Sequence, residues 1–120
     1  MTYQAALVDW VERYRVAWGS NDPAAIAALF TEDAVYFTEP HHPPWRGHAE
    51  IVEGWLAHRD EPGDFAFRFE VIADCDGLGF VRGWTDYTVP EPHTYSNLWV
   101  VKLAADGRVS EFTEWWMKHD

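Results

Sequence analysis

The stretch that decides the fold runs from residue 18 to residue 35 and reads WGSNDPAAIAALFTEDAV. Gly19 is predicted to end a first helix, because glycine takes the left-handed cap conformation without strain. Asp22 is predicted to cap a second helix, and Pro23 suits a first helical turn, where no backbone N–H is needed. Mostly strong helix formers follow from Ala24 to Phe30 before a polar break. The stretch therefore predicts a helix end, a second short helix and a turn into a strand.

A longer helix is predicted before this stretch, and a strand and a third helix after it. Apolar residues recur at three- and four-residue spacing from about Thr2 to Trp18, as on one face of a helix. Ala34 to Thr38 is strand-like, and residues 39–45 (EPHHPPW) are predicted to be irregular, because three prolines remove backbone donors. The third helix is predicted from Gly47 to about Arg59. The residues expected to face inward are Leu7, Trp10, Val11, Tyr14 and Trp18 on the first helix and Ile51, Val52, Trp55 and Leu56 on the third.

The second half of the chain is predicted to form four strands separated by turns. Residues 65–73 alternate, with Phe65, Phe67, Phe69 and Val71 on one side. The Asp106-Gly107 pair is a strong hairpin signal. The predicted strands are Phe65–Ala73, Leu78–Val89, His93–Leu103 and Arg108–Lys118. Three helices followed by an antiparallel meander predict one α+β domain over residues 1–120.

Composition restricts the partners and the compartment of the protein. The chain carries 20 acidic and 9 basic residues, a net charge of −11, so nucleic acid and anionic membranes are unlikely partners. Its one cysteine, Cys75, excludes an intrachain disulfide and a cysteine-based metal site. The first residues lack the basic and apolar layout of a signal peptide, and no apolar run reaches membrane-spanning length. A cytoplasmic protein is the expectation.

Strand alternation predicts which polar side chains share a face. Four sets are predicted, namely Glu39 with Val35 and Phe37; Glu114 with Phe112 and Trp116; Arg82 with Trp84 and Asp86; and Asn97 with Tyr95 and Trp99. If these faces are concave, two carboxylates, an arginine, an amide and several aromatic rings surround one cavity. Carboxylates among aromatic rings suit general acid–base chemistry, because desolvation raises their pKa.

Each of these groups also has a structural interpretation. Glu114 is either catalytic or paired with Arg82 on a neighbouring strand. Glu39 is either catalytic or a solvated loop carboxylate. The hydroxyl of Tyr14 either donates to a ligand oxygen or bonds a strand side chain in the core.

The histidines and the paired tryptophans complete the set of candidates. His41, His42 and His48 flank Trp45, but their spacing matches no known metal motif, so no metal site is predicted. The proline loop that carries them is either a lid over the cavity or an exposed loop. Trp115 and Trp116 must face opposite sides of the last strand. An outward Trp115 with Thr113 and Met117 predicts a homodimer through the outer face of the sheet.

Two stretches resemble the SnoaL-like branch of the nuclear-transport-factor-2-like superfamily. They are residues 18–35 and the closing segment, in which Asp106-Gly107-Arg108-Val109 is followed by Phe112-Thr113-Glu114-Trp115-Trp116. Relatives include ketosteroid isomerase, SnoaL-type polyketide cyclases, limonene epoxide hydrolase and scytalone dehydratase. The resemblance implies a cone-shaped α+β barrel, in which three N-terminal helices pack on a curved, mainly antiparallel sheet around a pocket.

The resemblance also implies roles for single residues. Tyr14 matches the first-helix tyrosine that serves ketosteroid isomerase as oxyanion donor, and Glu39 before Pro40 resembles its base. The region matching that enzyme's protonated acid is Asn97-Leu98-Trp99, which has no carboxylate. Glu114 and Arg82 can be matched to the acid and the arginine of limonene epoxide hydrolase. The position of its second acid holds Trp84, with Asp86 one alternation further on.

The sequence thus predicts a pocket for a small apolar, oxygenated molecule. If the protein is an enzyme, we expect cofactor-free acid–base chemistry of the isomerase, cyclase, dehydratase or hydrolase type. The alternatives are a non-catalytic ligand-binding or dimerisation module and a protein-partner adaptor. The candidate catalytic residues are Glu114, Tyr14, Arg82, Asp86 and Glu39, and the candidate ligand-binding residues are Trp18, Phe37, Trp45, Trp55, Trp84, Asn97, Trp99, Phe112 and Trp116.

Overall fold

The helical and alternating patterns form three helices and six strands in the computed structural model, which describes residues 3–120. The helices are α1 (Tyr3–Ser20), α2 (Pro23–Ala28) and α3 (Gly47–Ala57). The strands are β1 (Phe30–Phe37), β2 (Trp45–Arg46), β3 (Phe65–Cys75), β4 (Leu78–Tyr87), β5 (His93–Leu103) and β6 (Val109–Lys118). The predicted start of the first helix at Thr2 lies outside the described residues. None of these helices is long and apolar enough to cross a membrane.

The strands form one curved sheet that does not close on itself, in the order β2-β1-β6-β5-β4-β3. Strands β3 to β6 are an antiparallel meander, whereas β1 pairs with β6 in parallel. Helix α1 contacts β3 and β4, and α3 contacts β1. The predicted α+β class with three helices on a mainly antiparallel sheet is therefore confirmed. The proline loop is irregular as predicted, except that Trp45 pairs with Tyr36 as part of the short strand β2.

The first helix ends later than predicted. It continues through Gly19 to Ser20, and Asn21 adopts the left-handed conformation with φ 54°. The N–H of Asn21 donates to the carbonyl of Ala17 at 2.7 Å, which closes the last turn. The prediction that Gly19 caps this helix was wrong, because asparagine also tolerates that conformation. Asp22 does precede α2 and Pro23 begins it, but the Asp22 side chain makes no capping hydrogen bond.

The core lies between α1 and the concave face of the sheet. Its largest fully buried side chains are Trp10, Trp99, Phe30 and Phe112. The ring N–H of Trp10 donates to the carbonyl of Leu29 at 2.9 Å, so this polar atom is satisfied inside the core. Burying an aromatic side chain of this size contributes about 2–3 kcal/mol. The inward faces predicted for α1, α3 and β3 are confirmed by this packing.

Strand β4 presents the opposite face to the one predicted. Small residues point inward (Gly79, Val81, Gly83 and Thr85), whereas Arg82 and Asp86 are exposed. A Cβ on Gly83 would lie 2.6 Å from the ring of Phe67, and one on Gly79 would lie 2.4 Å from Leu7. The inner face of β4 therefore consists of small residues because large side chains from α1 and β3 pack onto it.

The prediction that Arg82, Trp84 and Asp86 face the cavity was wrong. Arg82 forms an ion pair with Glu70 of β3, and its guanidinium lies 5.9 Å from the ring centre of Trp84. Asp86 accepts a hydrogen bond from Thr94 Oγ1 at 2.7 Å. All three residues belong to the outer face of the sheet. The alternative ion pair between Arg82 and Glu114 is excluded for the same reason.

Strand β1 also differs in phase from the prediction. Its pairing with β6 shifts register between Phe30 and Val35, and Tyr36 rather than Val35 or Phe37 is buried. The buried residues of β1 are Phe30, Ala34 and Tyr36, all on even-numbered positions, so Val35 and Phe37 belong to the other face. Phe37 therefore does not line the cavity, which corrects its assignment as a ligand-binding residue.

Candidate functional site

A cavity of about 700 Å³ opens between the helices and the concave face of the sheet. Nine of the predicted site residues belong to its wall, namely Tyr14, Trp18, Glu39, Trp45, Trp55, Asn97, Trp99, Glu114 and Trp116. Phe112 is not among them, because it is fully buried beneath the wall and stacks on Tyr14 and Tyr36. Its predicted role in ligand binding is therefore corrected to a role in the core.

Glu114 is held in the cavity wall by two donors from the neighbouring strand. Its Oε2 accepts hydrogen bonds from Asn97 Nδ2 at 2.8 Å and from Trp99 Nε1 at 3.0 Å. Asn97 Oδ1 in turn accepts from Thr85 Oγ1 at 2.9 Å, so the amide is oriented with its N–H toward Glu114. Trp99 is the register partner of Glu114 in the β5–β6 pair. The sheet itself therefore fixes the position of the carboxyl group.

Burial raises the pKa of Glu114 from 4.5 to about 7. Desolvation is the largest cause, and the hydrogen bonds from Trp99 and Asn97 offset part of it. The negative charge of Asp60 adds a smaller upward contribution. A carboxyl group with such a pKa exchanges its proton readily near neutral pH, which is the property that general acid–base catalysis requires.

Two buried phenols form a pair beside this carboxyl group. The hydroxyl oxygens of Tyr14 and Tyr36 lie 2.8 Å apart, and either can donate to the other. Burial raises the pKa of both well above the ordinary value, and the charge of Glu114 adds to both shifts. Both phenols are therefore neutral donors at neutral pH. One hydroxyl proton is used within the pair, which leaves the other for an oxygen atom of a ligand.

Asp60 forms a second polar cluster, which the sequence pattern did not indicate. Its Oδ2 accepts hydrogen bonds from Trp18 Nε1 at 2.9 Å and from Tyr87 Oη at 3.0 Å. Asn21 Nδ2 donates to the Asp60 carbonyl at 2.8 Å, and Trp55 Nε1 donates to Asn21 Oδ1 at 3.2 Å. Burial and the Asp60 charge raise the pKa of Tyr87. The cluster joins the ends of α1 and α3 to β4 at the edge of the cavity.

The proline loop contributes a third group at the rim of the cavity. Glu39 and His42 belong to the wall, and Glu39 Oε2 lies 3.2 Å from His41 Nε2 and 3.6 Å from His42 Nε2. Trp45 stacks on Tyr36 with ring centres 4.9 Å apart. The loop therefore lies against the cavity, which agrees with the lid interpretation more closely than with a free exposed loop.

Tyr36 and Asp60 are two of the wall residues that the predicted site omits. Tyr36 shares the buried face of β1 with Phe30 and Ala34, but the predicted strand begins only at Ala34 and so omits the signal from Phe30. Asp60 lies in a polar loop between α3 and β3, where its neighbours give no periodic signal. Only the tertiary fold brings Asp60 to Trp18 and Tyr87.

Comparison with known proteins supports the same architecture. A family model described as a SnoaL-like domain matches residues 11–112. The chain is similar to the structure of a ketosteroid isomerase-like protein from Erwinia carotovora atroseptica SCRI1043, with 22% identity and a TM-score of 0.70. That match covers 98% of this chain and 96% of the other.

A second similar structure is an NTF-2 like protein of unknown function from Burkholderia xenovorans LB400. It shares 13% identity with a TM-score of 0.74, over 97% of this chain and 86% of the other. No curated protein matches the chain. At these identities the two structures bear on the fold alone.

Proposed function

Because the chain belongs to the SnoaL-like domain family, we propose that it binds a small, mainly apolar, oxygen-bearing molecule and transfers a proton in it. Glu114 is the acid or base of this proposal. The cavity of about 700 Å³ suits a small molecule, since ligand pockets usually measure about 300–1,000 Å³. Its aromatic walls favour an apolar ligand, and its few convergent polar groups would orient an oxygen atom.

The observation that carries the proposal is the environment of Glu114. Both hydrogen bonds that described residues donate to it end on Oε2, which leaves Oε1 to take or give a proton. The raised pKa of about 7 keeps both protonation states accessible near neutral pH. Glu114 forms no ion pair with a described residue, so only the hydrogen bonds from Asn97 and Trp99 offset the cost of burying its negative charge.

The Tyr14–Tyr36 pair supplies the complementary group. When Glu114 removes a proton next to a carbonyl group, negative charge develops on the carbonyl oxygen. A neutral phenol that donates a hydrogen bond to this oxygen stabilises the charge in a water-poor site. The pair supports this role because burial keeps both hydroxyls protonated.

This arrangement is compatible with isomerisation, cyclisation, dehydration and hydrolysis. Because the fold is shared with a ketosteroid isomerase-like protein, a proton shift within the substrate is the first of these reactions to test. Glu39, another predicted acid, lies at the cavity rim, where its carboxylate is close to two histidines. The raised pKa that supports proton transfer near neutral pH is that of the Glu114 carboxyl group. We therefore assign proton transfer to Glu114 alone.

The elimination of nitrobenzisoxazole tests Glu114 without knowledge of the natural substrate. A base removes the ring C–H proton, the N–O bond breaks, and a coloured cyanophenolate forms. We expect the rate to rise with pH to a plateau, with a midpoint near the Glu114 pKa of about 7. Glu114→Gln should lower the rate at the plateau about 10²- to 10⁴-fold, the usual contribution of a positioned base.

Glu111→Gln is the matched control, because Glu111 lies on the same strand and pairs with Lys102 outside the cavity. It should leave the rate unchanged. An equal rate in the wild type and in Glu114→Gln would refute the assignment.

A non-catalytic binding protein is the second candidate function. The two donors already on Oε2 favour it, because they also suit a carboxyl group that only positions a ligand. A native mass spectrum of untreated protein separates the two functions. A resident ligand released at high collision energy, together with the absence of nitrobenzisoxazole turnover, would favour binding.

A further inference from the structure

Three metal-binding side chains converge at the rim of the cavity, in the turn that follows β1. Glu39 Oε2 lies 3.2 Å from His41 Nε2 and 3.6 Å from His42 Nε2, and the three donor atoms lie within 4.8 Å of one another. Ligands of a tetrahedral zinc ion at about 2.1 Å are about 3.4 Å apart. The separations from Glu39 Oε2 therefore already bracket those of a coordination shell.

The backbone of this turn limits how far the three side chains can separate. Pro40 lies between Glu39 and His41, and Pro43 and Pro44 follow His42. Each proline fixes its φ angle. The N–H of His42 also donates to the Glu39 carbonyl at 3.2 Å, which closes the turn. A ligand set that is ordered before binding loses less conformational entropy when the ion arrives.

We propose that Glu39, His41 and His42 bind a divalent transition-metal ion, with Zn²⁺ as the best fit. Two imidazoles and one carboxylate suit Zn²⁺, Cu²⁺, Ni²⁺ or Fe²⁺ better than Mg²⁺ or Ca²⁺, which prefer oxygen ligands alone. The net charge of −11 favours the approach of any cation. The spacing, with one residue between Glu39 and two adjacent histidines, matches no familiar motif, so the sequence alone did not indicate the site.

The location of the site indicates what the ion would do. Three protein ligands leave at least one coordination position open, as in catalytic rather than structural zinc sites. Glu39 and His42 belong to the cavity wall, so the ion would lie at the cavity opening. There it could bind an oxygen substituent of the ligand while Glu114 acts elsewhere in the wall. The metal site does not depend on the proposed proton transfer, and its test measures the metal alone.

Calorimetric titration with Zn²⁺ tests the site. The protein is prepared without an affinity tag, treated with a chelator and dialysed. We expect saturable binding of one ion per chain. Glu39→Gln, His41→Ala and His42→Ala should each weaken binding at least about tenfold, because even outer-shell partners contribute about 10- to 100-fold. His119→Ala is the control, since His119 is also exposed but forms a hydrogen bond with Ser96 and belongs to the end of the chain, not to the proline loop. The affinity of this variant for Zn²⁺ should equal that of the wild type.

A second measurement identifies the ligands directly. Co²⁺ substituted for zinc should show visible absorption bands that depend on imidazole and carboxylate ligation, and the bands should be lost in His41→Ala and in His42→Ala. Far-UV circular dichroism checks that these exposed substitutions leave the fold intact. The proposal is overturned if the wild type shows no saturable binding, or if all three ligand variants bind like the wild type. Either result would mean that the two histidines lie close to Glu39 without binding a metal ion there.

Discussion

Two features of the fold have opposite effects on the ionisation of Glu114. The sheet places its carboxyl group where ionisation loses hydration, yet two donors are provided for the ionised oxygen. The desolvation effect is the larger of the two, so folding favours the protonated form of Glu114 relative to the unfolded chain. This conflict is typical of functional groups, since a position selected for stability alone would hold an apolar or neutral side chain.

The conflict predicts a pH dependence of stability. The folded pKa of Glu114 is about 7, against 4.5 for the unfolded chain. A raised pKa means that the stabilising contribution is fully present below pH 4.5 and is lost as the pH rises through about 7. From about pH 5 to about pH 8, the wild type should lose about 2–3 kcal/mol of unfolding free energy relative to Glu114→Gln.

Urea unfolding at a series of pH values measures this difference. The comparison with glutamine cancels the other titrating groups, because only residue 114 differs between the two chains. Parallel stability curves for the two proteins would show that Glu114 ionises normally in the fold.

Among the elements, α1 and α3 each contain a glycine in a helical conformation, and the two glycines have contrasting surroundings. A Cβ on Gly19 would meet no atom within 4 Å, whereas one on Gly54 would lie 2.3 Å from the ring of Trp45. Gly19→Ala should stabilise the protein by about 0.5–1 kcal/mol, because alanine has the higher helix propensity. Gly54→Ala should destabilise it by about 1–3 kcal/mol, because Trp45 must move.

Equilibrium unfolding in urea measures whether each substitution raises or lowers the free energy of unfolding, and each variant serves as the control for the other. Displacement of Trp45 should also disturb Tyr36, on which it stacks. Gly54→Ala is therefore expected to weaken ligand binding as well, while Gly19→Ala should not. If Gly19→Ala were destabilising, the α1 end described above would be wrong.

Elements with strong side-chain patterns were predictable from the sequence, and elements with weak ones were not. Large aromatic residues on alternate positions revealed the inner face of β3. On β4 the inner positions hold Gly79 and Gly83, which have no apolar side chain to mark a buried face. Trp84 on the outer face therefore led to the wrong face being predicted as the inner one. At the site, the Glu114, Asn97 and Trp99 cluster followed from alternation on β5 and β6. Tyr36 follows only once β1 is known to begin at Phe30, and Asp60 lies in a loop without a periodic pattern.

At the scale of the whole molecule, the outer face of the sheet exposes large apolar side chains that contacts among the described residues of one chain do not cover. Trp115 and Met117 are 41% and 72% exposed there, and Trp115 is paired with Leu98 of β5. Exposed aromatic surface of this kind usually marks an interaction site. We propose that two copies of the chain associate through this face.

Light scattering coupled to size-exclusion chromatography tests the association. The wild type should elute as a dimer, and Trp115→Glu combined with Met117→Glu should shift it to a monomer, because two charges would be buried in the contact. Val16→Glu is the control, since Val16 is 68% exposed on α1, away from the sheet face. A wild-type monomer would eliminate the dimer proposal.

The indole of Trp99 gives this protein a built-in optical readout. Its N–H donates to Glu114 Oε2 at 3.0 Å, so the proton on that carboxyl group changes the electric field at the ring. Four more of the eight tryptophans (Trp18, Trp45, Trp55 and Trp116) also belong to the cavity wall. Intrinsic fluorescence should therefore report both the charge of Glu114 and the arrival of a ligand, so that unlabelled protein can be screened against compound collections.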